Sequence, residues 1–230
     1  MLSKLFGTAQ SQVRRAFERA AKQAPQGPLS DYYAAGLASF DTPACEAELL
    51  AIDLETDGLD SSRDAILEAG MVELSGTLVR SSSAMRVRFR SESRLNPAAV
   101  AIHRIMDDAA ASALPASDAL AAVLGRCAGK VLVAHFAEIE AGFLDSACRR
   151  LFGAPFVAPF ICTMQLEARW FPRSRAQDGL RLGKLRSQYQ LPTYHAHDGL
   201  TDALGCAELL LAQLSHAGRT SAAIGSLLRH

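Results

Sequence analysis

Two carboxylates, two residues apart, close an apolar run: LLAIDLET, residues 49–56, ends on Asp53-Leu54-Glu55-Thr56. In an extended strand, residues i and i+2 project from one face, so Asp53 and Glu55 would leave the strand together. Like charges at that spacing repel, and a divalent cation is the usual remedy, although strand-end acids also occur as solvated turn residues. A second concentration of charge is HFAEIEAGFL, residues 135–144, directly after the apolar VLVA. A carboxylate on the first turn of a helix that follows a parallel strand lies at the sheet's carboxyl edge, where open α/β sheets place their sites. Glu138 and Glu140 both meet that condition, and either also suits a helix start through the helix dipole alone. The third cluster is YHAHDGLTDA, residues 194–203. Asp198 and Asp202 are four residues apart on one helical face, and His197 stands at the helix mouth. A histidine there can take a proton from water near neutral pH; in the blander reading, His195 and His197 are surface residues and Asp198 is the N-cap.

Each cluster needs an element to carry it. From Leu49 onward, LLAIDLET, DAILEAGMVEL and TLVRSSSAMRVRFR predict three short strands joined by tight connections, an antiparallel meander. NPAAVAIHRI and SDALAAVLGRCAG then read as helices, VLVAH as a buried strand, EIEAGFLDSACRRLF as a helix and FVAPFICT as another strand. MQLEARWF, LRLGKLRSQYQ and HDGLTDALGCAELLLAQL complete the order as helices. That order predicts an α/β fold: a mixed sheet, the antiparallel meander plus parallel strands, with flanking helices, in the ribonuclease H-like arrangement. The domain is expected over residues 46–216, after a helical appendage over 1–45 and before a C-terminal tail over 217–230. The appendage opens with a basic amphipathic helix carrying Arg14, Arg15, Arg19 and Lys22. It reads first as a helix packed on the domain with a solvated basic face, and alternatively as an arm docking a protein or nucleic acid.

Composition narrows the function classes. Among 230 residues, 49% are hydrophobic and 21% charged, which excludes intrinsic disorder. Lys plus Arg equals Asp plus Glu at 24 each, so no overall field draws the chain onto a polyanion, and nucleic-acid binding requires a local patch. The 5 cysteines form no CxxC pair and are odd in number, which argues against a disulfide framework or zinc site and for a reducing cytoplasm. No apolar run approaches the roughly 20 residues of a membrane span, so no membrane partner is expected.

Taken together, the three clusters resemble the histidine branch of the DEDD exonuclease superfamily, the DnaQ-like group that includes the proofreading epsilon subunit of bacterial DNA polymerase III and ribonuclease T. Asp53, Glu55, Thr56 and Gly58 match that family's first motif; His197 and Asp202 match its third, with LGKLRSQYQLP before it and AELL after it also similar. The likeness covers about residues 47–214. The second motif departs: His135, Ile139, Phe143 and Leu144 fit, but Glu140 stands where the family has a metal-binding Asp, and Phe136 stands where it has Asn. The resemblance implies a 3′–5′ exonuclease that holds two divalent cations, Mg²⁺ or Mn²⁺, through Asp53, Glu55, Glu140 and Asp202, with His197 as general base, releasing nucleoside monophosphates. It also implies that Thr56, Leu59, His103 and His135 contact the 3′ end of single-stranded DNA or RNA. The alternative is a binding or regulatory module on the same fold with little turnover.

Overall fold

The computed structural model describes residues 9–90, 112–172, 179–194 and 198–229. Its centre is a five-stranded sheet in the order β3-β2-β1-β4-β5, with β1 at Glu48–Thr56, β2 at Ile66–Ser75, β3 at Leu78–Arg88, β4 at Val131–Ala134 and β5 at Phe160–Cys162. The first three strands pair antiparallel, as the meander predicts, while β1/β4 and β4/β5 are parallel. The α/β mixed sheet with flanking helices is therefore the observed architecture.

Alternation along β1 divides the core in two. Leu50, Ile52 and Leu54 face one layer, built from α3 (Ala116–Cys127) and α4 (Glu138–Phe152). Leu49 and Ala51 face the other, where α7 (Gly199–His216) lays Cys206, Ala207 and Leu210 on the sheet. Asp53 and Glu55 continue this second face in step with the strand's period of two. Burial of apolar side chains on both faces makes the central strands near-continuous hydrophobic runs and supplies the main drive for folding.

Two expectations need correction or extension. FVAPFICT is a strand only over Phe160–Cys162, because Pro159 lacks the N–H group a ladder needs and joins only through its carbonyl, which accepts from Leu132. The flanks of residues 46–216 both enter the core. On one side α1 (Ala9–Ala21) and α2 (Pro28–Ala34) bury Phe17, Tyr32 and Tyr33, whose hydroxyls donate to the Val157 and Pro155 carbonyls, while Arg15, Arg19 and Lys22 stay exposed. On the other side Ile224, Leu227 and Leu228 pack beneath β5 through an isolated bridge from Leu228 to Ile161. The expected helix NPAAVAIHRI lies outside the described residues.

Candidate metal centre and its groove

Asp53, Glu55 and Asp202 each offer an oxygen within 4.8 Å of the others. The first two come from alternation in β1; the third needs α7 to start almost on the sheet. Gly70 of β2 stands directly opposite Asp53, and a Cβ there would run into the Gly199 carbonyl and the Leu200 nitrogen. Gly199 in turn lies against the Gly70 nitrogen and the Asp53 carbonyl, so two side-chain-free positions let the first turn of α7 touch the strands. We expect Gly70→Ala to force that turn away, costing about 1–3 kcal/mol as overpacking does and weakening metal affinity, readable as a smaller metal-induced rise in melting temperature. An unchanged metal response in a folded Gly70→Ala variant would show that this contact does not place Asp202.

Glu140 completes the charge. The parallel register of Ala51 with Val133 sets Asp53, two residues on, level with His135, and α4 begins three residues later, bringing Glu140 to the same edge. Its side chain is buried, and Oε2 has no hydrogen-bond partner among the described residues. Burial pushes the Asp53 pKa well up, and the charges of Glu140, Glu55 and Asp202 push it further. Burial likewise raises Glu55 to about 7, with Asp202 adding to the effect, and Glu140 to about 8. A cluster of buried and half-buried, mutually repelling carboxylates with an orphaned oxygen is a donor set that fits a hard divalent cation.

The sign of the pH dependence follows. Without metal, the native protein keeps protons that the unfolded chain has released above about pH 5, so stability is full at low pH and lost as pH rises through 7 to 8. His135, lowered by burial to about 4, is neutral in the native state and increasingly so in the unfolded chain above about pH 6.5, so its opposing effect fades there. In chelator, the melting temperature should therefore fall between about pH 6.5 and 8, and Mg²⁺ or Mn²⁺ should raise it most at the upper end. A flat profile indifferent to metal would contradict the repulsive cluster.

Neighbouring carboxylates are spent elsewhere. Asp198 caps α7, accepting from the Thr201 N–H at 2.9 Å, and takes Arg86 on both oxygens at 2.8 Å. Burial alone would raise its pKa, but those hydrogen bonds leave it lowered. Arg86 also pairs with Glu68 at 3.0 Å, as does Arg88, so Glu68 beside Glu55 is held by two guanidinium groups. Glu138 accepts from Gln165 and faces Arg229 at 3.9 Å; its Oε2, like that of Glu140, has no hydrogen-bond partner among the described residues, and its charge adds to the upward push on Glu140, but it is not among the three acids whose oxygens meet. Sequence reading missed Gly70, Arg86 and Arg186; the last is a buried cation that donates to the Gly205 and Pro192 carbonyls at 2.7 Å and ties α6 (Leu182–Gln188) to α7. No local spacing marks any of these three, because each acts through a contact distant in sequence.

A groove of about 910 Å³ leads from Asp202 along α6, lined by His135, Phe136, Met164, Arg181, Leu182 and Lys184 among others. His135 reaches this groove with both ring nitrogens engaged, Nδ1 with Thr163 Oγ1 and Nε2 with the Leu180 carbonyl, each at 2.8 Å. Thr56 Oγ1 donates to the Gly58 carbonyl at 2.6 Å, and the turn beyond it holds Leu59 84% exposed. His103 and His197 lie outside the described residues.

Comparison with known proteins gives consistent results. The exonuclease family model RNase_T matches residues 50–210. A Mycobacterium tuberculosis protein named for a bifunctional exonuclease/endonuclease is 31% identical over 189 residues, 77% of this chain and 29% of that protein. A PolC-type DNA polymerase III of Lacticaseibacillus paracasei is 26% identical over 167 residues, 72% of this chain and 11% of that protein. The chain thus spans under a third of either relative. Among solved structures, Exonuclease X in complex with 5′-overhanging duplex DNA superposes with a TM-score of 0.58 at 25% identity, over 78% of this chain and 98% of that one. Escherichia coli exonuclease I with a dT13 oligonucleotide shares the fold, with a TM-score of 0.64 at 14% identity over 76% and 42%.

Proposed function

The chain belongs to the RNase_T exonuclease family, within the DnaQ-like group, and from that premise we propose that it is a metal-dependent exonuclease removing nucleotides from the 3′ end of single-stranded DNA or RNA. The observation that carries this reading is the meeting of Asp53, Glu55 and Asp202 within 4.8 Å, with the buried Glu140 acting on Asp53 and holding one oxygen, Oε2, without a hydrogen-bond partner among the described residues. These four carboxylates would hold two divalent cations, Mg²⁺ or Mn²⁺. Such ions supply activation of water and neutralisation of charge on the scissile phosphate and leaving oxygen.

The chain's own groups do the rest. Asp53 and Glu55 are fixed by a central strand and Asp202 by the first turn of a long helix, so the donor set is held on rigid elements. His197, immediately before the α7 cap, takes the proton of the attacking water. Thr56 and the exposed Leu59 meet the terminal nucleotide from one side, and His103 and the groove beside His135 take the strand. Exonucleases of similar fold are seen with single-stranded or overhanging DNA, which supports a free end as substrate. The exposed basic face of α1 is the surface offered to a protein partner. Among the described residues no helix is long and apolar enough to cross a membrane, and the 5 cysteines are all free, which suits a cytoplasmic enzyme.

Digestion of 5′-labelled and 3′-labelled single strands of DNA and RNA, with Mg²⁺, Mn²⁺ or chelator, tests this. A 5′ label should pass through a ladder of shortening products, and a 3′ label should appear at once as mononucleotide, only with metal. Strand binding without shortening in either metal would instead establish the binding-module reading. In the same assay His197→Ala should lower turnover by about 10²-fold, within the range of a positioned general base, while metal still raises the melting temperature as in the wild type. A variant with undiminished turnover would remove His197 from the mechanism.

A further inference from the structure

Phe136 occupies the left-handed backbone region, with φ of 68°, and is 44% exposed. A bulky side chain rarely adopts that conformation, which strains the backbone, and burial here does not offset the strain because the ring stands largely in solvent. The conformation is imposed from both sides. His135, one residue earlier, is pinned through both ring nitrogens, and the Phe136 carbonyl accepts from the Ile139 N–H at 3.0 Å to start α4. Among the described residues none of the aromatic pairs or cation–ring contacts involves this ring.

Its surroundings say what it could serve. Phe136 lines the groove that ends at Asp202, together with Met164 and Leu182, while Arg181 and Lys184 stand exposed on the same wall. A flat π surface, apolar neighbours and cations, running out from a carboxylate cluster, match a nucleobase and its flanking phosphates rather than a purely apolar ligand. Base–aromatic stacking tolerates any sequence, because every base has a π face.

We propose that Phe136 is a base-stacking platform in the groove, which seats a base near the 3′ end of the bound strand. The proposal rests on the exonuclease reading for the identity of the strand. It adds a contact specific to this chain, since the related family carries Asn at the position.

The test uses the full chain with Ca²⁺, to allow binding while suppressing turnover, and ten-residue DNA strands carrying 2-aminopurine at one of the last three positions. Wild type should quench the probe at one of these positions, and Phe136→Tyr should do the same. Phe136→Leu keeps apolar bulk and the backbone demand but has no ring; it should lose the quenching and bind about tenfold more weakly. Phe136→Asn should melt higher than wild type, because Asn tolerates this backbone, and yet bind about tenfold more weakly too. A strained residue that is costly to stability and helpful to binding would show that pattern. Unchanged quenching and affinity in Phe136→Leu overturn the proposal, as does a wild type that neither quenches nor binds. If wild type digests strands while Phe136→Leu behaves as wild type, the stacking role alone falls. If Phe136-dependent quenching is present but no strand is digested in Mg²⁺ or Mn²⁺, the stacking role stands and the exonuclease reading falls.

Discussion

Asp53→Asn is expected to lower turnover by about 10³-fold or more while leaving the metal-free protein at least as stable as wild type. The substitution keeps the shape of the side chain and removes a proposed metal ligand whose charge is felt by Glu55, Glu140 and Asp202. Loss of a bound cation removes several kcal/mol of stabilisation of developing charge, and each 1.36 kcal/mol is a factor of ten in rate. Stability should move the other way. Asp53 is held well above the usual carboxylate range by burial and by four neighbouring acids, so in the absence of metal its ionised form is a liability to the fold. An amide in its place relieves that repulsion near pH 8. The two readouts together separate function from folding: a melt in chelator should show no loss, whereas the metal-induced rise in melting temperature should shrink with activity. Turnover within tenfold of wild type would remove Asp53 as a ligand and with it the metal centre.

The parts of this centre that a reader can see in the sequence are those with a local period. Asp53 and Glu55 follow from the two-residue repeat of a strand, and the parallel crossover after VLVA places an acid at the right edge. Asp202 was visible as a helix residue, but its approach to the strand was not. That depends on Gly70 lying opposite Asp53 and on Gly199 meeting it, a pairing of positions more than a hundred residues apart that only the sheet register brings together. The N-cap role of Asp198 is legible in the sequence and is found in the structure, but its pairing with Arg86, and that of Glu68, is illegible for the same reason. Each is an acid near the site by sequence or by strand pairing, and each is taken out of the donor set by Arg86 on β3. FVAPFICT shows the opposite failure: its branched and aromatic residues suggest a full strand, but its proline, Pro159, confines the ladder to Phe160–Cys162. The flanking helices and the C-terminal turn read as separate pieces because their apolar residues are few; in the fold each supplies a few side chains to a core that is otherwise built by the sheet.

The departure at Glu140 gives the sharpest test of the assignment. If this residue is the fourth carboxylate, Glu140→Asp should keep activity within an order of magnitude of wild type or raise it. It preserves the charge and withdraws it by about one C–C bond, on the order of 1.5 Å, to the reach of the residue usual in the family. Glu140→Gln should lose about 10³-fold, because a neutral amide at a buried position cannot balance a cation, and it should melt higher than wild type in chelator near pH 8, where the native carboxyl, pushed up to about 8, is being forced to ionise. Glu138 is the internal control. It lies two residues earlier, about 200° around the helix, and is occupied by Gln165 and loosely by Arg229. A pair as long and as accessible as that with Arg229 contributes little, so Glu138→Gln should be nearly silent in rate and in metal response. The reverse outcome, a silent Glu140→Gln with a crippled Glu138→Gln, would place the second motif out of register by two residues. The orphaned Oε2 of Glu140 would then need another explanation, and the donor set would have to be rebuilt around the wall that faces Gln165.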